Sequence, residues 1–188
     1  QGLPKIEVIH LDSGTNQRIY FDEEDYNVRP QQGREWDTSV LRFSYASLTT
    51  PSTIFDYDMA NNTRELKKQT EVLAGFDSNL YTSKRVLAAA EDGALIPISL
   101  LFRKDTPLDG SAPLYLYGYG SYGIIMESDF GSSRLSLVDR GFIFAVAHPR
   151  GGMDLGWDWY QQGKLLNKKK TFTDFIECAE YLIEEQYT

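Results

Sequence analysis

Residues 142–147 read Phe-Ile-Phe-Ala-Val-Ala, six consecutive positions without a polar side chain. A strand sends alternate side chains to opposite faces, so it can be this apolar only if both faces are covered. Such strands belong to sheets flanked by helices, which excludes a half-solvated antiparallel sheet here. A second compact run, Pro113–Tyr117 (PLYLY), lies upstream, and Ser133–Asp139 between them predicts a helix ending near Gly141. From Phe172, the residues Phe172, Phe175, Ile176, Ala179, Leu182 and Ile183 keep helical spacing and predict an amphipathic helix over 172–185. Thr171 followed three positions later by Asp174 resembles a capping box with Asp in the place of Glu. Lys84–Ala90 and Leu95–Arg103 flank Asp92-Gly93, a hairpin signal. Strand, helix, strand, helix in this order predicts an α/β sheet.

Residues 1 to about 78 have a different texture. Lys5–Leu11, Gln17–Phe21, Leu41–Ser47 and Thr53–Met59 are short, mostly alternating runs separated by turn residues such as Asp12-Ser13-Gly14 and Thr49-Thr50-Pro51-Ser52. Arg29–Asp37 reads as an irregular connection, and Arg64–Leu73 as a strand or a short helix. The pattern predicts an antiparallel meander, with a boundary at residues 76–82. Two parts are therefore expected, 1–78 and 79–188. Neither looks complete, because each leaves sheet edges to protect and the last helix leads into no strand.

Composition removes several functions. With 19 Lys and Arg against 27 Asp and Glu, the net charge is −8 over 188 residues, which argues against nucleic acid as a partner. One cysteine, Cys178, allows no intrachain disulfide, and two histidines, His10 and His148, are too few for a histidine metal cluster. No metal and no cofactor is expected. No apolar run of about 18 residues is present to span a bilayer, so no membrane partner is expected. The start, QGLPKIEVIHLDSG, has no signal-peptide pattern and no initiator Met. A cytoplasmic segment from within a longer polypeptide is the expectation.

The residues with most chemical content follow the two compact strands. Tyr117-Gly118-Tyr119-Gly120-Ser121-Tyr122-Gly123 allows a tight turn at a strand's carboxyl end, where α/β folds bind ligands. On spacing alone, an aromatic loop packed on the core and a loop presenting phenols to a ligand are equally open. It is not a nucleophile elbow, because Tyr119 stands where G-x-S-x-G needs glycine. It is not a dinucleotide fingerprint either, because Ile124–Phe130 reads as loop where a helix is required. His148-Pro149-Arg150-Gly151-Gly152 follows the second strand. His148 reads as a strand-terminal hydrogen-bonding residue rather than a base, and Arg150 as a tie between loops. Glu127 and Asp129 read by default as solvated, with attraction for a cationic group if they face a crevice. Lys168-Lys169-Lys170 reads as a solvated connection.

The segments LYLYGYGSYG (114–123), SDFGSSRLSLVDRGFIFAVAHPRGG (128–152) and WYQQGKLLNKKKTFTDFIECAEYLI (159–183) closely resemble the prolyl oligopeptidase family of serine peptidases, most strongly its oligopeptidase B branch. The resemblance covers 79–188, and RFSYASLTTPSTIFDYD before it resembles the end of that family's β-propeller. It implies an α/β-hydrolase fold, here the first half of the domain, preceded by antiparallel strands of a β-propeller. It also implies hydrolysis of short peptides by a Ser, Asp, His triad. Tyr119 matches the tyrosine whose hydroxyl helps form the oxyanion hole, and Tyr122 an aromatic residue of the substrate pocket. Glu127 and Asp129 match an acidic pair tied to recognition of a basic substrate residue, although Glu replaces the usual Asp at the first position. Arg150-Gly151-Gly152 matches a hallmark taken as architectural, and Met153-Asp154 stands where Gly-Glu is common. The implied nucleophile falls after the helix 172–185, and the triad Asp and His further on, so the chain alone is expected to be inactive. Its partners would be short basic peptides and the remainder of the peptidase polypeptide. The rival expectation is a non-catalytic binding module or remnant of the same fold, and a narrower rival is a branch cleaving after proline.

Overall fold

The computed structural model describes residues 2–73 and 75–188, which divide into two compact units. One comprises residues 3–76 together with 128–130, the other Gly2, residues 77–127 and 131–188.

The first unit is all β. Strands β1 (Glu7–Ile9) and β2 (Asn16–Arg18) form an antiparallel ribbon. Strands β3 (Tyr26–Pro30), β4 (Val40–Ser47), β5 (Thr53–Asp58) and β6 (Thr63–Gln69) form a four-stranded antiparallel meander in that order. This is the blade-like meander the sequence texture predicts. Phe43 sits opposite Pro30 on one side and Phe55 on the other. With Tyr26, Val28, Tyr45, Tyr57, Ile6 and Ile19 it makes the unit's core. Phe21 stacks on Tyr45 at 4.9 Å between centroids. The Glu23 carboxylate accepts from the hydroxyls of Tyr45 (2.5 Å), Ser47 (2.6 Å), Thr50 (3.0 Å) and Thr49, so a charge at the sheet's end is fully solvated by protein. Residues 64–69, left open between strand and helix, are strand. Arg29 and Pro30, expected in an irregular connection, close β3; proline fits there because β3 is an edge strand that loses no inner ladder bond.

The second unit is α/β. Its sheet has the order β7 (Tyr81–Ala89), β8 (Leu95–Arg103), β10 (Ile143–Ala147), β9 (Leu114–Gly118). β8 pairs antiparallel with both β7 and β10, while β9 and β10 run parallel, Leu114 opposite Ile143 and Gly118 opposite Ala147. Every residue of β10 is buried, as its composition demands. The β7–β8 hairpin turns at Asp92-Gly93 with Gly93 in the left-handed region. Helix α1 (Ser132–Val138) makes the crossover from β9 to β10, and α2 (Trp157–Gly163) and α3 (Lys169–Glu184) follow. The core joins Ile96, Ile98 and Leu100 of β8, Ile143 and Ala145 of β10, Trp159 of α2, and Cys178 and Leu182 of α3. Each buried Leu or Ile contributes roughly 1.5–3 kcal/mol. Among the described residues, no helix is long and apolar enough to cross a membrane.

Helix α3 corrects two expectations. Its buried stripe is Thr171, Asp174, Cys178 and Leu182, whereas Phe172, Ile176 and Ile183 face outward. Thr171 and Asp174 are not a cap, since the helix already begins at Lys169. Both turn inward because buried donors and acceptors await them at the end of β10, as described next.

Candidate active site

Three segments meet beyond the carboxyl ends of the parallel strands: residues 119–127 after β9, residues 148–156 after β10, and the start of α3. Arg150 is their hub. Its Nε and Nη2 donate to the two oxygens of Asp174 (2.9 and 2.5 Å), and its backbone N–H donates to Asp174 Oδ2 (2.9 Å). Its Nη1 donates to Asp92 Oδ2 (2.6 Å) in the β7–β8 turn, and the guanidinium lies over Trp159. Arg150 and Asp174 are both buried. The two carboxylates hold the Arg150 guanidinium well above its ordinary pKa, and hydrogen bonds from Arg150 and Lys170 hold the Asp92 carboxyl well below the usual range. The loop-tying role expected of Arg150 is thus the observed one.

The backbone packs too tightly around this hub for side chains. A Cβ on Gly120 would come within 2.5 Å of Thr171 Cγ2 and 2.7 Å of Pro149 Cγ, and one on Gly151 would collide with the Gly120 carbonyl. Both glycines also have positive φ, +63° and +102°. Gly123 N–H donates to Gly151 O at 3.0 Å. Lys168, expected in solvent with its two neighbours, folds inward instead. Its ammonium donates to Gly120 O (2.6 Å), Ser121 Oγ (2.5 Å) and Thr171 Oγ1 (3.1 Å), and burial lowers its pKa. Thr171 Oγ1 in turn donates to Arg150 O at 2.5 Å.

Within this frame Tyr119 is 42% exposed at the end of β9, and its hydroxyl has no hydrogen-bond partner among the described residues. Tyr122 is 84% exposed and sits in the left-handed region at φ 56°, a conformation that costs a bulky side chain energy. Glu127 is half-buried at the end of the same loop, in the α/β unit. Asp129 belongs to the β unit, where its Oδ1 accepts from Asn27 Nδ2 at 3.0 Å. It lines a cavity of about 350 Å³ with Asn27, Arg29, Tyr45 and Phe130.

His148 completes an arrangement that the sequence reading did not assemble. Its Nδ1 lies 2.8 Å from Asp154 Oδ1 and its Nε2 2.7 Å from Ser99 Oγ. A carboxylate can only accept, so Nδ1 carries the proton toward Asp154, and in a neutral ring Nε2 then accepts from Ser99. These are the contacts of a serine nucleophile, its base and the base's orienter. They are not an active site, because Ser99 has no exposed surface in the middle of β8 and its oxygen also accepts from Arg85 (3.2 Å). The chain instead anchors a loop: Asp154 Oδ1 also accepts the Met126 N–H at 3.0 Å, one residue before Glu127. The signal in the sequence was the small polar Ser99 inside an otherwise apolar strand. Among the described residues, no cluster of His, Cys, Asp and Glu is arranged to hold a metal ion.

A mixed α/β sheet with its helices, joined in sequence to an antiparallel meander, describes a hydrolase-like unit that follows propeller-type sheet. Comparison with known proteins gives the same class. The prolyl oligopeptidase family pattern matches residues 128–188, and that of the prolyl oligopeptidase N-terminal β-propeller domain matches residues 1–70. Dipeptidyl aminopeptidase BI of Pseudoxanthomonas mexicana is 42% identical over 98% of this chain and 25% of its own length. Protease 2 of Moraxella lacunata is 35% identical over 100% of this chain and 27% of its own. Oligopeptidase B of Trypanosoma brucei, solved with covalently bound antipain, superposes with a TM-score of 0.90 at 41% identity, over 98% of this chain and 27% of that one. The chain belongs to the prolyl oligopeptidase family of serine peptidases and is related to oligopeptidase B. It spans about a quarter of the length of these relatives.

Proposed function

We propose that these 188 residues work within a longer serine peptidase that hydrolyses short peptides after Lys or Arg through an acyl-enzyme. The part up to residue 78 is read as propeller, and the part from 79 as the first half of the peptidase domain. The nucleophile, base and orienting acid come from residues outside the chain, which alone is inactive. Their serine oxygen attacks the scissile carbonyl carbon, and the carbonyl electron pair moves onto its oxygen. The base takes the serine proton as this bond forms, and the Tyr119 hydroxyl donates to the oxyanion. Collapse expels the amine, which receives that proton from the base. Water, losing a proton to the same base, then attacks the acyl carbon and releases the acid as the base returns the proton to the serine. The observation that carries this reading is the uncommitted phenol of Tyr119 at the carboxyl end of β9, on a loop fixed by the Arg150 and Lys168 contacts. The covalently bound antipain in the Trypanosoma brucei relative supports the covalent route. In this reading the enzyme is cytoplasmic.

Tyr122, outward-facing and held in a strained conformation, lines the substrate pocket. Glu127 contributes a carboxylate for a cationic nitrogen of the substrate; Asp129, in the other unit, is a separate candidate for that role. The 42% identity to a dipeptidyl aminopeptidase favours a second reading, in which the cationic nitrogen is the peptide's own amino terminus. Peptides cleaved after Arg or after Pro, each with a free and a blocked amino terminus, distinguish these on the complete polypeptide. Cleavage of the blocked Arg peptide, with KM raised about 3–30-fold in Glu127→Gln, is the expected result. Cleavage of free-terminus peptides alone replaces the Lys/Arg reading with the second one, and preference for Pro replaces both. A non-catalytic role predicts that no serine of the complete polypeptide is labelled by a phosphonate probe.

A further inference from the structure

Lys168 takes no part in the proposed chemistry, yet it is tied to the loop that carries Tyr119. Its ammonium has three N–H bonds and three oxygens in reach, two of them in the residues directly following Tyr119. None of the three belongs to a carboxylate. A half-buried cation held on neutral oxygens has no carboxylate to offset the hydration it gives up, so this lysine is a poor choice for holding the fold together. It is a good choice for fixing a peptide plane. The Gly120 carbonyl cannot rotate while Lys168 donates to it, and that plane starts one atom beyond the Tyr119–Gly120 link. The loop also needs such a restraint. Gly120, Tyr122 and Gly123 all have positive φ, a run that persists only where the surroundings over-determine it.

We propose that Lys168 is a positioning residue for Tyr119, holding the phenol where the oxyanion forms. This rests on the reading of Tyr119 as the oxyanion donor. Displacements of about 1 Å at such a group cost on the order of 100-fold in rate.

The test is a double-mutant cycle on the complete polypeptide, with kcat and KM measured separately and each variant's folding checked by far-ultraviolet circular dichroism. Lys168→Met keeps the stem and removes the donors. It is expected to lower kcat roughly 10–100-fold with KM changed less than about twofold, and to have no further effect on kcat in a Tyr119→Phe background. Lys168→Arg, which keeps charge and donors, is expected to recover part of the loss. The proposal is overturned if Lys168→Met lowers kcat by the same factor in both backgrounds, or by less than twofold in the wild type. Tyr119→Phe changing kcat less than twofold is a different outcome; it removes the oxyanion reading itself and the positioning role with it. If Lys168→Met does not fold, the cycle is run with Lys168→Arg. Its distorted donor geometry is then expected to lower kcat only where Tyr119 is present, and an equal loss in both backgrounds overturns the proposal.

Discussion

At the scale of single residues, the strongest commitment is the buried Arg150–Asp174 pair. Two parallel N–H···O bonds, plus one from the backbone, leave the carboxylate with no need of water. Removing either partner strands the other charge in the interior. Asp174→Ala is expected to cost about 3–5 kcal/mol in urea unfolding, and Arg150→Lys to recover little of what Arg150→Ala loses, because an ammonium cannot reproduce the fork. A loss under about 1 kcal/mol for Asp174→Ala would mean that the pair is not holding the loops. The sequence made Arg150 legible as a tie but misassigned Asp174 to a cap. Spacing gives a residue's neighbours along the helix and cannot show which group faces it across the interior. The contacts of Ser99 with His148 and of Lys168 with Gly120 and Ser121 were hidden for the same reason, since they span 49, 48 and 47 residues.

At the scale of elements, legibility followed periodicity. The run at 142–147 specified a strand buried on both faces, and β10 is that strand. Helix α2 escaped notice because Trp-Asp-Trp-Tyr-Gln-Gln-Gly carries no helical apolar repeat and its entry residue, Gly156, has φ 96° and no side-chain cap. In α3 the expected face is right only in part: Leu182 is buried and Phe175 packs on the core, but Phe172, Ile176 and Ile183 face outward because Thr171 and Asp174 take the inner positions. Cys178 lies on the true inner face, with its thiol pushed up by burial. It is expected to resist alkylation at pH 8 in the folded protein and to react within minutes in urea. Prompt labelling of the folded protein would place α3 differently. The β7–β8 turn carries a pH signature. The folded Asp92 carboxyl sits below its unfolded value, so the unfolded chain takes up the proton first. The stabilisation is therefore complete above about pH 4 and declines as pH falls toward the folded value. Asp92→Asn is expected to flatten that acid limb of stability against pH; an unchanged slope would show that the turn does not hold Arg150 through charge.

At the scale of the whole chain, two units each build their own core, one around Phe43 and one around Ile98 and Ile143. Their fold classes were legible because one half alternates with period two and the other mixes solid apolar runs with helices. Tyr119 and Tyr122 were singled out as candidates only by resemblance: they are two phenols among twelve, and no spacing rule separates them from core aromatics. The structure adds a physical reason to single out Tyr119. Its hydroxyl is uncommitted, while the backbone behind it is held by Lys168 and the Gly151 carbonyl. The most direct measurement is therefore steady-state hydrolysis of a blocked Arg peptide by the complete polypeptide and by its Tyr119→Phe variant. A fall in kcat of roughly 10–1000-fold with little change in KM is the expected result. A fall of less than twofold would contradict the account, because Tyr119 would then contribute nothing to the transition state.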